Sequence, residues 1–186
     1  MVSEPPKPRL TVDEFLAWSE DRPGRYELLG GEVFGMSPQR VRHAEVTLAV
    51  QLALRAALHA AGSPCRMLPD GLTVRIDDAT AFEPDALVYC GDRLDADAVE
   101  VPAPVIVVEV LSPSTHGLDT GHKLNGYFRA PSVMHSLIVD PKRRLIVHHR
   151  RATDELMETR IAAMGTTLDL TPPGLALAVA EVFEAG

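Results

Sequence analysis

The sequence has little of what marks secreted, membrane or disulfide-rich proteins. Its 186 residues include only two cysteines, Cys65 and Cys90. Two cysteines do not make a disulfide framework, so we expect both to be small core residues of a protein kept in a reducing, cytoplasmic setting. No apolar run approaches the roughly 20 residues of a membrane-spanning helix, and the first residues contain no apolar segment typical of a signal peptide. These absences predict a cytoplasmic protein without a membrane partner.

Positive charge is also scarce. The chain has 18 lysine and arginine residues against 26 aspartate and glutamate residues, and its net charge is −8. Such an acidic chain repels phosphates over most of its surface, which argues weakly against non-specific binding of nucleic acid. A local basic cluster or a bound metal ion would offset this repulsion. The densest basic cluster, within residues 142–151, forms either a phosphate-contacting edge or only a solvated hairpin.

Length and composition predict one domain over residues 1–186, of which residues 1–10 form a loose, proline-rich arm. Hydrophobic residues make up 46% and charged residues 24% of the chain, which is enough apolar content for one sizeable core. The predicted order of elements is helix, hairpin, helix, several strands, helix and further strands. This order indicates an α/β (α+β mixed) fold in which helices pack against a sheet.

Local signals predict individual elements. A capping box at residues 11–14 predicts the start of a short helix. The pair Gly30-Gly31 predicts a hairpin with a primed turn. Alternation along its first strand directs Glu27 and Leu29 to the same face. Residues 82–90 are predicted as one strand, in which Pro84 implies an edge, a bulge or a strand start. Residues 105–111 are predicted as a central strand that is apolar on both faces. A long helix over about residues 39–61 carries a stripe that we expect to pack on the sheet. The stripe is Val41, Ala44, Leu48 and Leu52.

Two of the apolar strands carry the carboxylates Asp85 and Glu109. An unpaired ion in such a strand costs several kcal/mol, so something must compensate it. Neighbouring strands would bring the two carboxylates close enough to share a hard cation, and Mg²⁺ is held by carboxylates, carbonyls and waters. The alternative is that Glu109 only forms a buried salt bridge with a base such as Lys123.

The helix predicted over about residues 118–129 directs a lysine toward the same place. Asp119, Lys123 and Tyr127 recur at intervals of four residues and share one helix face. Lys123 can there stabilise developing negative charge or an attacking hydroxide, whereas an Asp119–Lys123 surface pair would contribute only a few tenths of a kcal/mol. His43 lies near the start of the long helix, where a lone histidine is more often a surface or capping residue.

These residues belong to an ordered set of motifs that resembles the Uma-two family, whose members are restriction endonuclease-like proteins of the PD-(D/E)XK nuclease superfamily. The resemblance covers about residues 11–150. A PD motif followed by ExL is by itself weak evidence for this family, whereas the full ordered set of motifs is specific to it. The motifs are YELLGGE at 26–32, RHAE at 42–45, PD at 84–85, VEVLSPST at 108–115, DxxxKxxxY at 119–127 and LIVDP at 137–141.

The resemblance implies a restriction-endonuclease-like core, which is a central mixed β-sheet flanked by helices with a metal site at one end. Asp85 is then the motif aspartate, Glu109 the motif acid and Glu27 an auxiliary acid. These three carboxylates and the Val110 carbonyl would bind Mg²⁺ or Mn²⁺.

The sequence departs from the superfamily at one position. The usual lysine two residues after the glutamate is replaced by Leu111. The resemblance implies that Lys123 fills its role from the following helix, with His43 and Tyr127 as accessory residues.

The implied function is metal-dependent hydrolysis of phosphodiester bonds in nucleic acid, with DNA as the expected substrate. One alternative is a catalytically inactive nuclease-like module that binds nucleic acid or a protein partner. A metal hydrolase acting on a smaller phosphoester is a third, but the sequence contains no P-loop or comparable glycine-rich phosphate cradle. The oligomeric state is left open, and a homodimer is one option.

Overall fold

The computed structural model describes residues 9–112 and 118–184, apart from the side chains of residues 118–120 and 122. Most of the predicted arm, residues 113–115 of the VEVLSPST motif and the Asp119 side chain therefore lie outside the described residues. The elements, in chain order, are α1 (Val12–Glu20), β1 (Tyr26–Leu29), β2 (Glu32–Gly35), α2 (Val41–Ala60), β3 (Arg66–Pro69), β4 (Val74–Asp77), β5 (Thr80–Phe82), β6 (Ala86–Tyr89), β7 (Pro104–Val110), α3 (Leu118–Tyr127), β8 (His135–Asp140), β9 (Leu145–Arg151), β10 (Met157–Ala163), β11 (Thr167–Leu170), β12 (Leu175–Ala178) and α4 (Val179–Phe183).

A six-stranded sheet in the order β10-β9-β8-β7-β6-β3 forms the centre of the fold. Strands β7 and β8 are parallel, and the other neighbours are antiparallel. The predicted mixed α/β (α+β) architecture, with a central sheet flanked by helices, is thus confirmed. The predicted central strand is β7, and its valines and Ile106 are largely buried because a hydrophobic cluster packs on each face of the sheet.

A second sheet, in the order β2-β1-β5-β4, carries the N-terminal hairpin. Gly30 and Gly31 both have positive φ, at 58° and 84°, which is the backbone that a primed two-residue turn requires. The predicted alternation is confirmed, since Leu28 packs with α1 while Leu29 packs in a different cluster, on the face that also presents Glu27. The hairpin therefore delivers one carboxylate to the side of β1 that faces away from α1.

Residues 82–90 do not form one strand, and that prediction is wrong. Strand β5 ends at Phe82 in the smaller sheet, and β6 begins at Ala86 in the central sheet. Pro84 lies between them, and proline interrupts a ladder because it has no backbone N–H to donate. The interruption places Asp85 at the junction of the two sheets.

The prediction for the buried face of α2 is also wrong. Val41, Leu48 and Leu52 are exposed by 74%, 56% and 53%, and Ala44 is exposed as well. The side chains that pack on the central sheet are those of Val50, Ala53, Leu54, Ala57 and Leu58. Apolar residues cover both faces of this helix, so hydrophobic periodicity alone does not distinguish the buried face.

The expectation of two unpaired cysteines is corrected by a disulfide between Cys65 and Cys90. The two residues adjoin the paired positions Arg66 and Tyr89 of the antiparallel strands β3 and β6, so the register sets them opposite each other. The pairing removes the cysteine argument for a reducing compartment, and cytoplasmic location stays a prediction. Among the described residues, no helix is long and apolar enough to cross a membrane.

A buried histidine pair joins the central sheet to the β11–β12 hairpin. His135 Nε2 donates to the Pro172 carbonyl at 2.8 Å, so its Nδ1 accepts from His148 Nε2 at 2.9 Å. Burial lowers the pKa of His148 to about 4, and nearby His135 and Arg160 add to this effect. Burial likewise lowers the pKa of His135.

We expect this pair to make stability depend on pH. In the unfolded chain His148 binds a proton below its ordinary pKa of 6.5, whereas in the folded protein it does so only near pH 4. The folded state therefore has its full stability above pH 6.5 and loses stability as the pH falls toward 4. Each proton of difference contributes a slope of up to about 1.4 kcal/mol per pH unit. Urea unfolding from pH 7 to pH 4 should give a flatter profile for His148→Gln than for the exposed control His59→Gln. An equally steep profile in both variants would contradict the assignment.

Candidate active site

Asp85 and Glu109 lie opposite each other at the end of the β6–β7 pair. The register pairs Ala86 with Val108, and Asp85 N–H donates to the Val108 carbonyl at 2.9 Å. The Asp85 side chain accepts a hydrogen bond on Oδ2 from Val110 N–H at 2.7 Å. The two predicted carboxylates are thus on neighbouring strands, and the Asp85 side chain contacts the backbone of Val110.

Lys123 bridges two carboxylates that come from different sheets. Its Nζ lies 2.7 Å from Glu27 Oε1 on β1 and 3.2 Å from Glu109 Oε2 on β7. Glu27 Oε1 also accepts a hydrogen bond from Glu83 N–H at 2.9 Å. Lys123 and Glu27 are buried, so solvent does not screen this interaction strongly.

Helix α3 approaches the site closely because it contains a glycine. Tyr127 is fully buried, donates from its hydroxyl to Glu109 Oε1 at 2.6 Å, and meets the Phe82 ring edge to face at 5.4 Å. A Cβ at Gly126 would clash with the same Phe82 ring. A glycine inside a helix costs about 1 kcal/mol relative to alanine, and this unfavourable choice is a sequence signal of the close approach.

Negative charge exceeds positive charge at this buried site. Glu27, Asp85 and Glu109 contribute three carboxylates, whereas Lys123 contributes one ammonium. Burial raises the pKa of Glu109 to about 7; Lys123 opposes this rise, and Asp85 and Glu27 add to it. Burial also raises the pKa of Tyr127 well above its ordinary value, so its hydroxyl remains a donor to Glu109.

His43 belongs to this site, although its sequence context is that of a capping residue. Its Nε2 donates to the Val110 carbonyl at 3.0 Å and lies 3.5 Å from Asp85 Oδ2. Its Nδ1 is then the acceptor for the Thr47 hydroxyl at 3.4 Å. The hydrogen bond with Asp85 raises the pKa of His43 and outweighs the effect of burial.

Sequence reasoning missed residues that support the site from outside. Gln51 Nε2 donates to the Asp85 carbonyl at 2.9 Å, which fixes the backbone at the sheet junction. Arg25 Nε pairs with Glu83 Oε1 at 2.6 Å beside Glu27. The signal for Gln51 was a polar residue between the apolar residues Val50 and Leu54 of α2.

The donor set suits a hard cation, although it is not gathered around one position. Within residues 9–112 and 118–184, no three histidine, cysteine or acidic side chains are grouped as they would be around an ion. The Lys123 ammonium instead bridges the Glu27 and Glu109 carboxylates. The chemistry of the site suits Mg²⁺ or Mn²⁺, because Asp85, Glu109 and the Val110 carbonyl all offer hard oxygen ligands. The carboxylates also outnumber the Lys123 ammonium.

A cavity of about 550 Å³ adjoins the site through His43. It is lined at the start of α2 by Arg40 and Arg42, and in the β8–β9 turn by Lys142 and Arg143. Asp140 also lines the cavity, where its Oδ2 pairs with Arg143 Nη1 at 3.4 Å, so one carboxylate stands against four cations. The cavity is therefore positively charged in a protein of net charge −8.

The basic cluster within residues 142–151 divides between this cavity and structural roles. Arg144 donates to the Phe183 carbonyl, Arg151 donates to the carbonyls of residues 128, 130 and 133, and His148 and His149 are buried. Of the cluster, only Lys142 and Arg143 line the cavity.

Comparisons with known proteins agree with this architecture. The sequence profile of the Uma2 family, described as "Putative restriction endonuclease", matches residues 12–180. An uncharacterized protein of Synechocystis sp. PCC 6803, slr1290, is 27% identical over 180 residues, which cover 96% of this chain and 93% of that protein.

A solved structure shares the fold. It is the crystal structure of a "putative nuclease belonging to DUF820" from Anabaena variabilis, with a TM-score of 0.70 and 17% identity over 94% of this chain and 98% of that one. At this identity the likeness concerns the fold alone. Because the family profile covers almost the whole chain, the protein belongs to the Uma2 family of restriction endonuclease-like proteins.

Proposed function

We propose that this protein is an endonuclease that depends on Mg²⁺ or Mn²⁺ and hydrolyses phosphodiester bonds in DNA. The observation that carries the proposal is the buried surplus of carboxylate over ammonium among Glu27, Asp85, Glu109 and Lys123. A purely structural salt bridge needs no such surplus, because each additional buried charge is destabilising. A divalent cation would balance it.

Asp85, Glu109 and the Val110 carbonyl would hold the ion. When bound, Mg²⁺ or Mn²⁺ supplies Lewis-acid polarisation of a phosphoryl oxygen and a more acidic water. Glu27 orients Lys123 through the 2.7 Å contact, and its direct coordination of metal stays a prediction. Tyr127 holds the Glu109 carboxylate by its hydrogen bond.

Lys123 is the group that we expect to act on the transition state. Its ammonium is fixed by two carboxylates and excluded from bulk water. A fixed positive charge of this kind stabilises negative charge that develops on phosphoryl oxygens, and it does so without reorganisation during the reaction. His43, which bridges Asp85 and the Val110 carbonyl, holds both in place.

The basic cavity supplies the substrate contact. No described residue pairs with the side chains of Arg40, Arg42 or Lys142, so these three cations are available for phosphate groups. The cavity shares His43 with the carboxylate site, and a nucleic-acid backbone that lies in the cavity would therefore pass beside Asp85. Local positive charge is what an acidic protein needs to bind DNA.

A catalytically inactive module that binds nucleic acid is the second candidate. It is favoured by the close pairing of Lys123 with Glu109 and by the absence of three grouped ligands within the described part of the chain. This alternative predicts binding to DNA without turnover and without a specific metal ion.

The first prediction from this proposal concerns metal binding. Asp85→Asn and Glu109→Gln each remove one negative charge but keep a hydrogen-bond acceptor, so both variants should fold and should lose Mn²⁺ binding in calorimetric titrations. Their melting temperatures should be maintained or raised, since a repulsive carboxylate neighbour is gone. Glu32→Gln, on the exposed part of β2, is the control. Mn²⁺ affinity that is unchanged in both site variants would contradict the assignment.

The second prediction separates a catalytic from a structural Lys123. At saturating Mn²⁺, Lys123→Met should lower the cleavage rate of plasmid DNA by about 10²–10³-fold. Mn²⁺ affinity should not fall, because a neighbouring positive charge has been removed. Arg129→Met, which breaks an exposed ion pair with Asp77 just beyond α3, should cleave normally. Full activity with a lowered melting temperature would make Lys123 structural only.

The third prediction concerns the cavity. In a Glu109→Gln background, which prevents cleavage, Arg42→Gln and Lys142→Gln should each reduce the salt dependence of duplex binding. The expected change is about 0.9 in the slope of log affinity against log salt for each lost phosphate contact. Arg93→Gln, in the exposed loop after the other end of β6, is the matched control. If Arg42→Gln and Lys142→Gln keep the parental slope as the control does, the cavity is not the DNA-binding surface.

A further inference from the structure

The outer face of α2 is an apolar stripe that nothing in the described structure covers. Val41, Leu48 and Leu52 are exposed by 74%, 56% and 53%, and they lie on one side of the helix. The opposite side packs on the central sheet. A helix that is apolar on both faces is typical of an element buried on both sides, so the stripe indicates a second packing partner.

The stripe is complementary to a second copy of itself that runs in the opposite direction. Counted from Val50, Leu48 and Leu52 lie two positions to either side, and Glu45 and Arg55 lie five positions to either side. The same reversal matches Ala44 with Ala56 and Val41 with His59. All of these side chains except that of Val50 are exposed.

This symmetry has a physical meaning for two helices packed antiparallel. A two-fold axis at the level of Val50 sets Leu48 of one copy beside Leu52 of the other, and Glu45 of one copy beside Arg55 of the other. Each contact then occurs twice, as in any isologous interface. Small residues at 44 and 56 allow close approach, while the two Glu–Arg pairs select the antiparallel register.

We propose that the protein is a homodimer in which the two α2 helices pack antiparallel through this stripe. The occupant of the surface is a second copy of the chain, because the stripe supplies both the apolar and the charged complement that it requires. Nucleic acid fits the stripe poorly, since its apolar side chains offer no phosphate contact and the charge of Glu45 offsets that of Arg55. The proposal does not depend on catalysis.

The arrangement sets the basic cavity of each copy at one end of the seam. Arg40 and Arg42 lie at the first turn of α2, so in an antiparallel pair the two cavities lie at opposite ends of the seam. With a rise of about 1.5 Å per residue, Val41 of one copy and Val41 of the other are about 27 Å apart along the helix direction. Of the stripe, only Val41 also lines the cavity, so dimerisation and substrate binding use largely different residues of the same helix.

Sedimentation equilibrium of the full chain over a wide concentration range tests this interface. The wild type should be a dimer, and Leu48→Glu should be monomeric because it places charges in the apolar seam. Glu45→Arg and Arg55→Glu should each weaken the dimer at least tenfold, because each sets like charges against each other. The double variant Glu45→Arg/Arg55→Glu should restore dimerisation, since the swapped charges again face opposite partners.

The control is Ile161→Glu on β10, whose side chain is as exposed as those of the stripe, at 72%, and which should leave the dimer intact. All substituted side chains are exposed, so circular dichroism should show a retained fold in every variant. A monomeric wild type, a dimer that persists in Leu48→Glu, or single charge reversals that the double variant does not rescue would each overturn the proposal. Binding of a different protein to the stripe of a monomeric wild type would also overturn it.

Discussion

The candidate site depends on one buried ammonium group that is held between two carboxylates. Lys123 comes from α3, Glu27 from the smaller sheet and Glu109 from the central sheet, so this contact ties together three separately formed parts of the fold. Removing the Lys123 ammonium would leave both carboxylates buried without their cation, a loss of the kind that costs about 3–5 kcal/mol. Asp85 adds a further carboxylate beside Glu109, and the resulting excess of negative charge is what we propose a divalent cation balances.

Small backbone features let these three parts meet. Pro84 ends the smaller sheet's strand before the central sheet's strand begins, so that Asp85 stands at their junction. Gly126 lets α3 pack directly on Phe82, which brings Tyr127 within 2.6 Å of Glu109. The positive φ angles of the Gly30-Gly31 turn set the hairpin register that aims Glu27 at Lys123. Each feature is local in the sequence, but its consequence is a long-range contact.

The sequence predicts some local features well, but it did not locate the break between the two sheets at Pro84 or the buried face of α2. The capping box, the primed hairpin and the central strand were confirmed, because each depends on nearby residues with strong backbone preferences. The site residues converge because neighbouring strands carry Asp85 and Glu109. The buried face of α2 was predicted wrongly because both faces are apolar, and only tertiary packing decides between them. The Cys65–Cys90 pairing was missed because it follows from the register of β3 and β6, and the number of cysteines does not reveal that register.

The central claim is that the surplus of buried carboxylate beside Lys123 is a binding site for a hard divalent cation. An anomalous-difference map from crystals grown with Mn²⁺ tests it most directly, since it locates the ion without reference to activity. Our account predicts one strong peak within bonding distance, roughly 2.1 Å, of the Asp85 and Glu109 carboxylates and the Val110 carbonyl oxygen. A map with no peak there, or with Mn²⁺ only on surface carboxylates, would contradict it.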